Sequence, residues 1–178
     1  MDIIVFPCRM LKDDENLEIW AKEPDEIIEY YKNKININPK SELYLNNRGV
    51  GYARKKQFDE AIADFEESIK NYDLEGNASH TYFNLATVYL FMGHHLKAIE
   101  KYTKSLNCFP SDTAFYNRGC VYLMSGNREL AIKDLTEAAE WKVLEAIEIL
   151  DNLGIKYFRS ETALLLDRMF RKTQNIEK

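Results

Sequence analysis

The sequence predicts an all-α solenoid of stacked helix–turn–helix repeats, and three observations predict it. A quartet of residues recurs three times at fixed internal spacing: Gly49, Tyr52, Ala61, Phe65, then Ala86, Tyr89, Ala98, Tyr102, then Gly119, Tyr122, Ala131, Leu135. The copies begin 37 and then 33 residues apart, within the range where a fixed period marks a stacked repeat. Seven glycines and four prolines in 178 residues are too few for an all-β chain dense in tight turns, whereas 46% apolar and 12% aromatic residues are ample for a core. Finally, Gly93 and Gly126 follow apolar periodic stretches, where a glycine in the left-handed region ends a helix without a Cβ penalty.

The elements follow in order. Residues 1–12 form an N-terminal extension with no assignment. Residues 13–41 read as a degenerate repeat or N-terminal cap. Ile27, Ile28, Tyr31, Ile35 and Pro39 fit its second helix, while a first helix at about 14–20 lacks the small and aromatic markers. The first clear repeat (42–78) is expected to hold helices over 41–55 and 58–71, Ser41 after Pro39 supplying a start signal. The second (79–111) places them at 79–92 and 95–108, and the third (112–142) at 112–125 and 128–141. Lys56 stands where the later copies have glycine, which predicts a mildly strained turn. Residues 143–172 are C-terminal capping helices: an amphipathic stretch ending at Gly154, then one over 160–172 carrying Leu164, Leu165, Leu166, Met169 and Phe170. A polar tail occupies 173–178.

Within each repeat the small residue of the first helix (Gly49, Ala86, Gly119) is expected to face the alanine of the second (Ala61, Ala98, Ala131), because backbones approach closely only where neither side chain is bulky. The copies also differ in one correlated way. Arg48 and Arg118 are each followed sixteen residues later by an aspartate, Asp64 and Asp134, whereas the second copy has Leu85 and Lys101. An unpaired buried charge is costly, so Arg48–Asp64 and Arg118–Asp134 are expected to be structural ion pairs joining the two helices of a repeat.

Composition narrows the function. A net charge of −5 and a sequence pI near 5.3 argue against a nucleic-acid binder, whose affinity comes largely from a basic face. The apolar run at residues 3–6 is far shorter than a signal-peptide core or a membrane span, so the reading is cytoplasmic, with no membrane partner. Cys8, Cys108 and Cys120 show no metal-ligand spacing and fit a reducing compartment, Cys108 and Cys120 acting as small buried or groove-lining groups. No phosphate loop, nucleophile elbow or dinucleotide fingerprint occurs, and His94 and His95 are adjacent rather than at the i, i+4 spacing that holds a metal. The expectation is a non-enzyme with no catalytic residues, cofactor or metal.

The quartet, its spacing and the glycine breaks resemble the tetratricopeptide repeat family. That resemblance implies a right-handed superhelix whose concave groove, lined by the first helix of every repeat, holds a peptide or helix of a partner protein. The implied groove residues are Asn46, Asn47, Val50 and Arg54; then His80, Phe83, Asn84, Thr87 and Phe91; then Thr113, Tyr116, Asn117, Cys120 and Met124. Asn47, Asn84 and Asn117 occupy equivalent positions, where an amide row either pairs with an extended peptide backbone or bonds within the solenoid. Some members clamp a chaperone's C-terminal carboxylate with groove lysines and arginines. Here Arg54 is the one cation at those positions and Val50, Phe83, Thr113 and Asn117 break the pattern, so no such clamp is expected. The expected role is an adaptor or scaffold. The alternatives are a chaperone for secreted proteins, whose overall plan is similar, and a module that homodimerises through its terminal helices.

Overall fold

The computed structural model describes residues 21–72 and 78–155, which form eight helices. The expected extension at 1–12, the helix at 14–20, the helix at 160–172, the 173–178 tail and Cys8 all lie outside these residues. The helices are α1 (Pro24–Ile37), α2 (Glu42–Arg54), α3 (Phe58–Asn71), α4 (Ser79–Phe91), α5 (His95–Cys108), α6 (Asp112–Met124), α7 (Arg128–Glu140) and α8 (Leu144–Asn152). Every end of α2 to α7 falls within one residue of the sequence expectation. Side-chain caps mark three of the starts, those of α2, α6 and α7: Ser41 Oγ accepts from the Tyr44 amide at 3.3 Å, Ser111 Oγ from Ala114 at 3.1 Å, and Asn127 Oδ1 from Leu130 at 3.2 Å.

Each helix packs on its neighbours in sequence, and α2 also touches α4. That is the signature of a solenoid, in which contacts stay between adjacent units. Ile27 and Tyr31 of α1 are fully buried, with Tyr44 of α2 packed beside them, so α1 covers the N-terminal face of α2. Two larger clusters follow. One is centred on Phe65, Leu85, Tyr89 and Tyr102, the other on Tyr116, Leu135, Ala138 and Leu150.

Five helix ends close in the same way. Lys56, Gly93, Gly126, Lys142 and Gly154 lie in the left-handed region, with φ of 62°, 75°, 78°, 68° and 77°. In each the following amide bonds back to a carbonyl five residues earlier, as Gln57 does to Tyr52 at 3.0 Å, His94 to Tyr89 at 2.8 Å and Asn127 to Tyr122 at 2.9 Å. This Schellman arrangement gives the quartet tyrosine a second task, since its carbonyl anchors the turn. Lys142 was not foreseen as a second left-handed lysine. Left-handed backbone costs a side-chain-bearing residue about 1–2 kcal/mol, of which glycine's larger chain entropy cancels about half. Lys56→Gly is therefore expected to stabilise the chain by about 0.5–1 kcal/mol, read as a rise in Tm; an unchanged or lower Tm would show that the turn is not strained.

The close approach within a repeat differs from the expectation. A Cβ added to Gly49 would lie 2.7 Å from Phe65 Cε1, and one on Gly119 would lie 3.0 Å from Leu135 Cγ. At both glycines the closest neighbour is thus the large fourth member of the quartet. The reason is volume. Phe65 and Leu135 are fully buried, and the first helix must drop a side chain to admit them.

Candidate functional site

The first helices of the three repeats, α2, α4 and α6, carry the residues implied for the groove. Asn46, Asn47, Val50, Asn84, Thr87, Tyr116, Asn117 and Cys120 are buried, and His80, Phe83 and Thr113 are half-buried. Arg54, Phe91 and Met124 are exposed, the last two at 53% and 47%, and they occupy the C-terminal ends of their helices in matching register.

The asparagines form a polar seam. Asn84 Nδ2 donates to Asn46 Oδ1 at 3.0 Å, tying α4 to α2, and Asn46 Nδ2 donates to Asn47 Oδ1 at 3.0 Å. Asn117 Nδ2 of α6 donates to the Tyr102 hydroxyl at 3.4 Å, and that hydroxyl meets Thr87 Oγ1 of α4 at 2.9 Å. Tyr102 is fully buried, and burial drives its phenol pKa far above the ordinary value, so it is a neutral hydroxyl joining three helices. Phe83 packs edge-on against the same ring, with centroids 5.5 Å apart.

The arginines stand beside this seam. Arg48 donates from Nε and Nη2 to the two carboxylate oxygens of Asp64, each at 2.7 Å. Arg118 does the same to Asp134 at 2.6 and 2.8 Å, and its Nη1 also donates to Thr103 Oγ1 of α5 at 2.9 Å. Burial opposes the charge on Arg118, but the hydrogen bonds and charge of Asp134 outweigh it and hold the guanidinium pKa above its usual value. In the second repeat Leu85 is 1% exposed and Lys101 turns to Glu100 at 3.0 Å.

Apart from Arg54, what remains open is apolar. Phe91 lies parallel to Phe58 at the start of α3, with centroids 6.5 Å apart, so one aromatic surface bridges two repeats. Sequence reasoning missed Phe58; the signal was its place two residues beyond the left-handed turn. It also missed the buried hydroxyls. Ser68 donates to the Glu42 carbonyl at 2.7 Å, and Ser79 to the Ser105 carbonyl at 3.1 Å. Ser68 and Ser105 each sit three residues after the large quartet member, so the repeat phase marked them.

The cysteines differ from each other. Cys108 is exposed, which corrects the expectation of a buried or groove-lining thiol, because the C-terminal end of α5 is left uncovered there. Cys120 is fully enclosed, and burial, partly offset by a hydrogen bond with Tyr116, pushes its thiol up to about 11. Iodoacetamide at pH 8 is expected to alkylate Cys108 in the native protein and to spare Cys120 until urea unfolds the chain. Equal labelling by peptide mass spectrometry would contradict this placement.

Tetratricopeptide repeat family profiles match residues 41–111 and 112–142, together more than half of the chain. The chain belongs to the tetratricopeptide repeat family, whose members mediate protein–protein interactions. The small glutamine-rich tetratricopeptide repeat-containing protein 2 of Mycosarcoma maydis is 29% identical over 105 residues, covering 59% of this chain and 29% of that protein. The BBSome complex member BBS4 of Bos taurus is 32% identical over 111 residues, covering 61% of this chain and 20% of its own length. Serine/threonine-protein phosphatase 5 of Rattus norvegicus is 26% identical over 102 residues, covering 57% and 20%. The chain thus spans less than a third of each of these relatives. Among solved structures, a crystal structure of MamA superposes with a TM-score of 0.61 at 27% identity, covering 69% of this chain and 71% of that one. The architecture is the right-handed helical solenoid of the family. No helix among the described residues is long and apolar enough to cross a membrane.

Proposed function

We propose that this chain is a cytoplasmic, non-catalytic adaptor that holds a segment of a partner protein along α2, α4 and α6. One observation carries the reading. The asparagines and Thr87 of that face bond into the seam, while Phe91 and Met124 remain exposed in matching register, with Phe83 half-buried beside Tyr102. Exposed apolar and aromatic side chains in register are the usual anchors of an interface. With its amides committed to the seam, the face reads a partner's side chains rather than its backbone, and Arg54 supplies a cation at one end. Membership of a multi-protein complex by one relative, as its name states, fits a scaffold role.

The test is capture of partners from the native cell with the Phe91→Ala/Met124→Ala chain. Leu96→Ala serves as the control, since Leu96 is 82% exposed and lies at the start of α5 rather than on this face. Partner recovery is expected to fall by about tenfold or more for the double variant, as loss of anchor side chains at an interface entails, and to hold for the control. Equal recovery with both would sink the proposal.

A further inference from the structure

The edge of the solenoid beside Phe91 and Met124 is where the chain collects positive charge. The joints α2–α3, α4–α5 and α6–α7, counted with their helix-end residues (54–58, 91–95 and 124–128), hold four cations and no carboxylate. The cations are Arg54, Lys55, Lys56 and Arg128. The fully described joints of the opposite edge (37–42, 108–112 and 140–144) hold two cations, Lys40 and Lys142, against three carboxylates, Glu42, Asp112 and Glu140. In a chain of net charge −5 this is a local reversal of sign.

Three of the four cations are consecutive, and Arg54, Lys55 and Lys56 are all exposed at the α2–α3 joint. Lys55 pairs with Asp25 of α1, whereas no carboxylate among the described residues pairs with Lys56. Lys56 also stands at φ 62°, where Gly93 and Gly126 occupy the matching joints. A side chain held in left-handed backbone at a cost points to a role for that side chain. The same joint leads into Phe58, whose ring lies parallel to that of Phe91. A cationic corner and an aromatic surface therefore adjoin at the mouth of the face lined by α2, α4 and α6.

We propose that the partner segment is acidic, with carboxylates against Arg54 and Lys56 and an apolar or aromatic side chain on the Phe58–Phe91 surface; this rests on the groove reading above. Opposite charge across an interface chooses and steers a partner more than it adds affinity. The aromatic pair is thus the anchor and the cations select what is anchored. The occupant is a protein segment rather than a nucleic-acid strand, because Asp25, Asp59 and Glu60 are exposed in α1 and the first turn of α3. They would repel a continuous run of phosphates, whereas one or two carboxylates need only the cations themselves.

The experiment displays random twelve-residue peptides on phage, joined to the coat protein by their C-termini, and selects them on the full chain. Enriched peptides are expected to be at least about two charge units more negative than the starting library and to carry an aromatic or large aliphatic residue. One of them, synthesised with an amidated C-terminus, is then titrated by fluorescence anisotropy. Arg54→Gln/Lys56→Gly is expected to weaken its binding about fivefold, as loss of two exposed ion pairs entails, with a Tm no lower than that of the unmodified chain. Phe91→Ala/Met124→Ala is expected to weaken it about tenfold or more, and Leu96→Ala to leave it unchanged. Peptides that need Phe91 and Met124 but carry no excess of carboxylates overturn the proposal and leave the groove reading standing. So does binding that survives Arg54→Gln/Lys56→Gly, and so does a single-stranded oligonucleotide that binds more tightly than the peptide. No enrichment at all, or binding indifferent to Phe91→Ala/Met124→Ala, overturns the groove reading along with the proposal.

Discussion

Asp134→Ala is expected to lower the unfolding free energy by about 3 kcal/mol, the lower end of the range for breaking a buried ion pair by removing one partner. The aspartate is only 4% exposed in its side chain and Arg118 15%, so the substitution strands a guanidinium that water reaches poorly. Arg118 also donates to Thr103, and this bond alone does not balance the charge. The second repeat shows the alternative, Leu85 enclosed at the equivalent position. Arg118→Leu/Asp134→Leu is accordingly expected to recover to within about 1–2 kcal/mol of the unmodified chain, since replacing both partners by apolar groups removes the desolvation cost along with the attraction. Urea denaturation of the unmodified chain and the two variants measures both differences. A double variant as unstable as Asp134→Ala would show that the pair, and not merely charge balance, holds α6 to α7.

Tyr102→Ala is expected to cost about 3–5 kcal/mol, in line with truncation of a fully buried aromatic. Tyr102→Phe separates ring from hydroxyl. It keeps the volume and the edge contact with Phe83 but leaves Thr87 and Asn117 without their shared oxygen, at a cost of about 1–2 kcal/mol. Because that oxygen fixes α4 relative to α6, Tyr102→Phe is also expected to weaken partner capture more than its stability loss alone would. Thermal unfolding alongside the capture assay checks both. A Tyr102→Phe chain of unchanged stability would mean that the hydroxyl bonds contribute nothing net.

Periodicity made most of the fold legible. The quartet set the phase, and phase located the helix ends, the glycine turns and the arginine–aspartate correlation. Two things escaped it. Gly49 and Gly119 face Phe65 and Leu135 because close packing is decided by volume across the interface, and spacing along the chain does not say which neighbour supplies the bulk. The face lined by α2, α4 and α6 was legible as a set of positions, but exposure was not. Asn117 and Met124 differ by seven residues, two helical turns, yet one is enclosed and the other is 47% exposed, since the hydroxyl of Tyr102 reaches the first from a helix that sequence analysis treated only as packing. Side-chain hydrogen bonds between helices carry no period of their own.

The left-handed turns have a mechanical consequence. In a linear stack each joint bears load separately, so the chain opens where a joint is weakest. Lys56 and Lys142 put the conformationally costly joints at the two flanks, between α2 and α3 and between α7 and α8, while Gly93 and Gly126 leave the middle joints relaxed. Structure should therefore unzip inward from both ends, and the surface that presents Phe91 and Met124 should be the last part of the molecule to come apart.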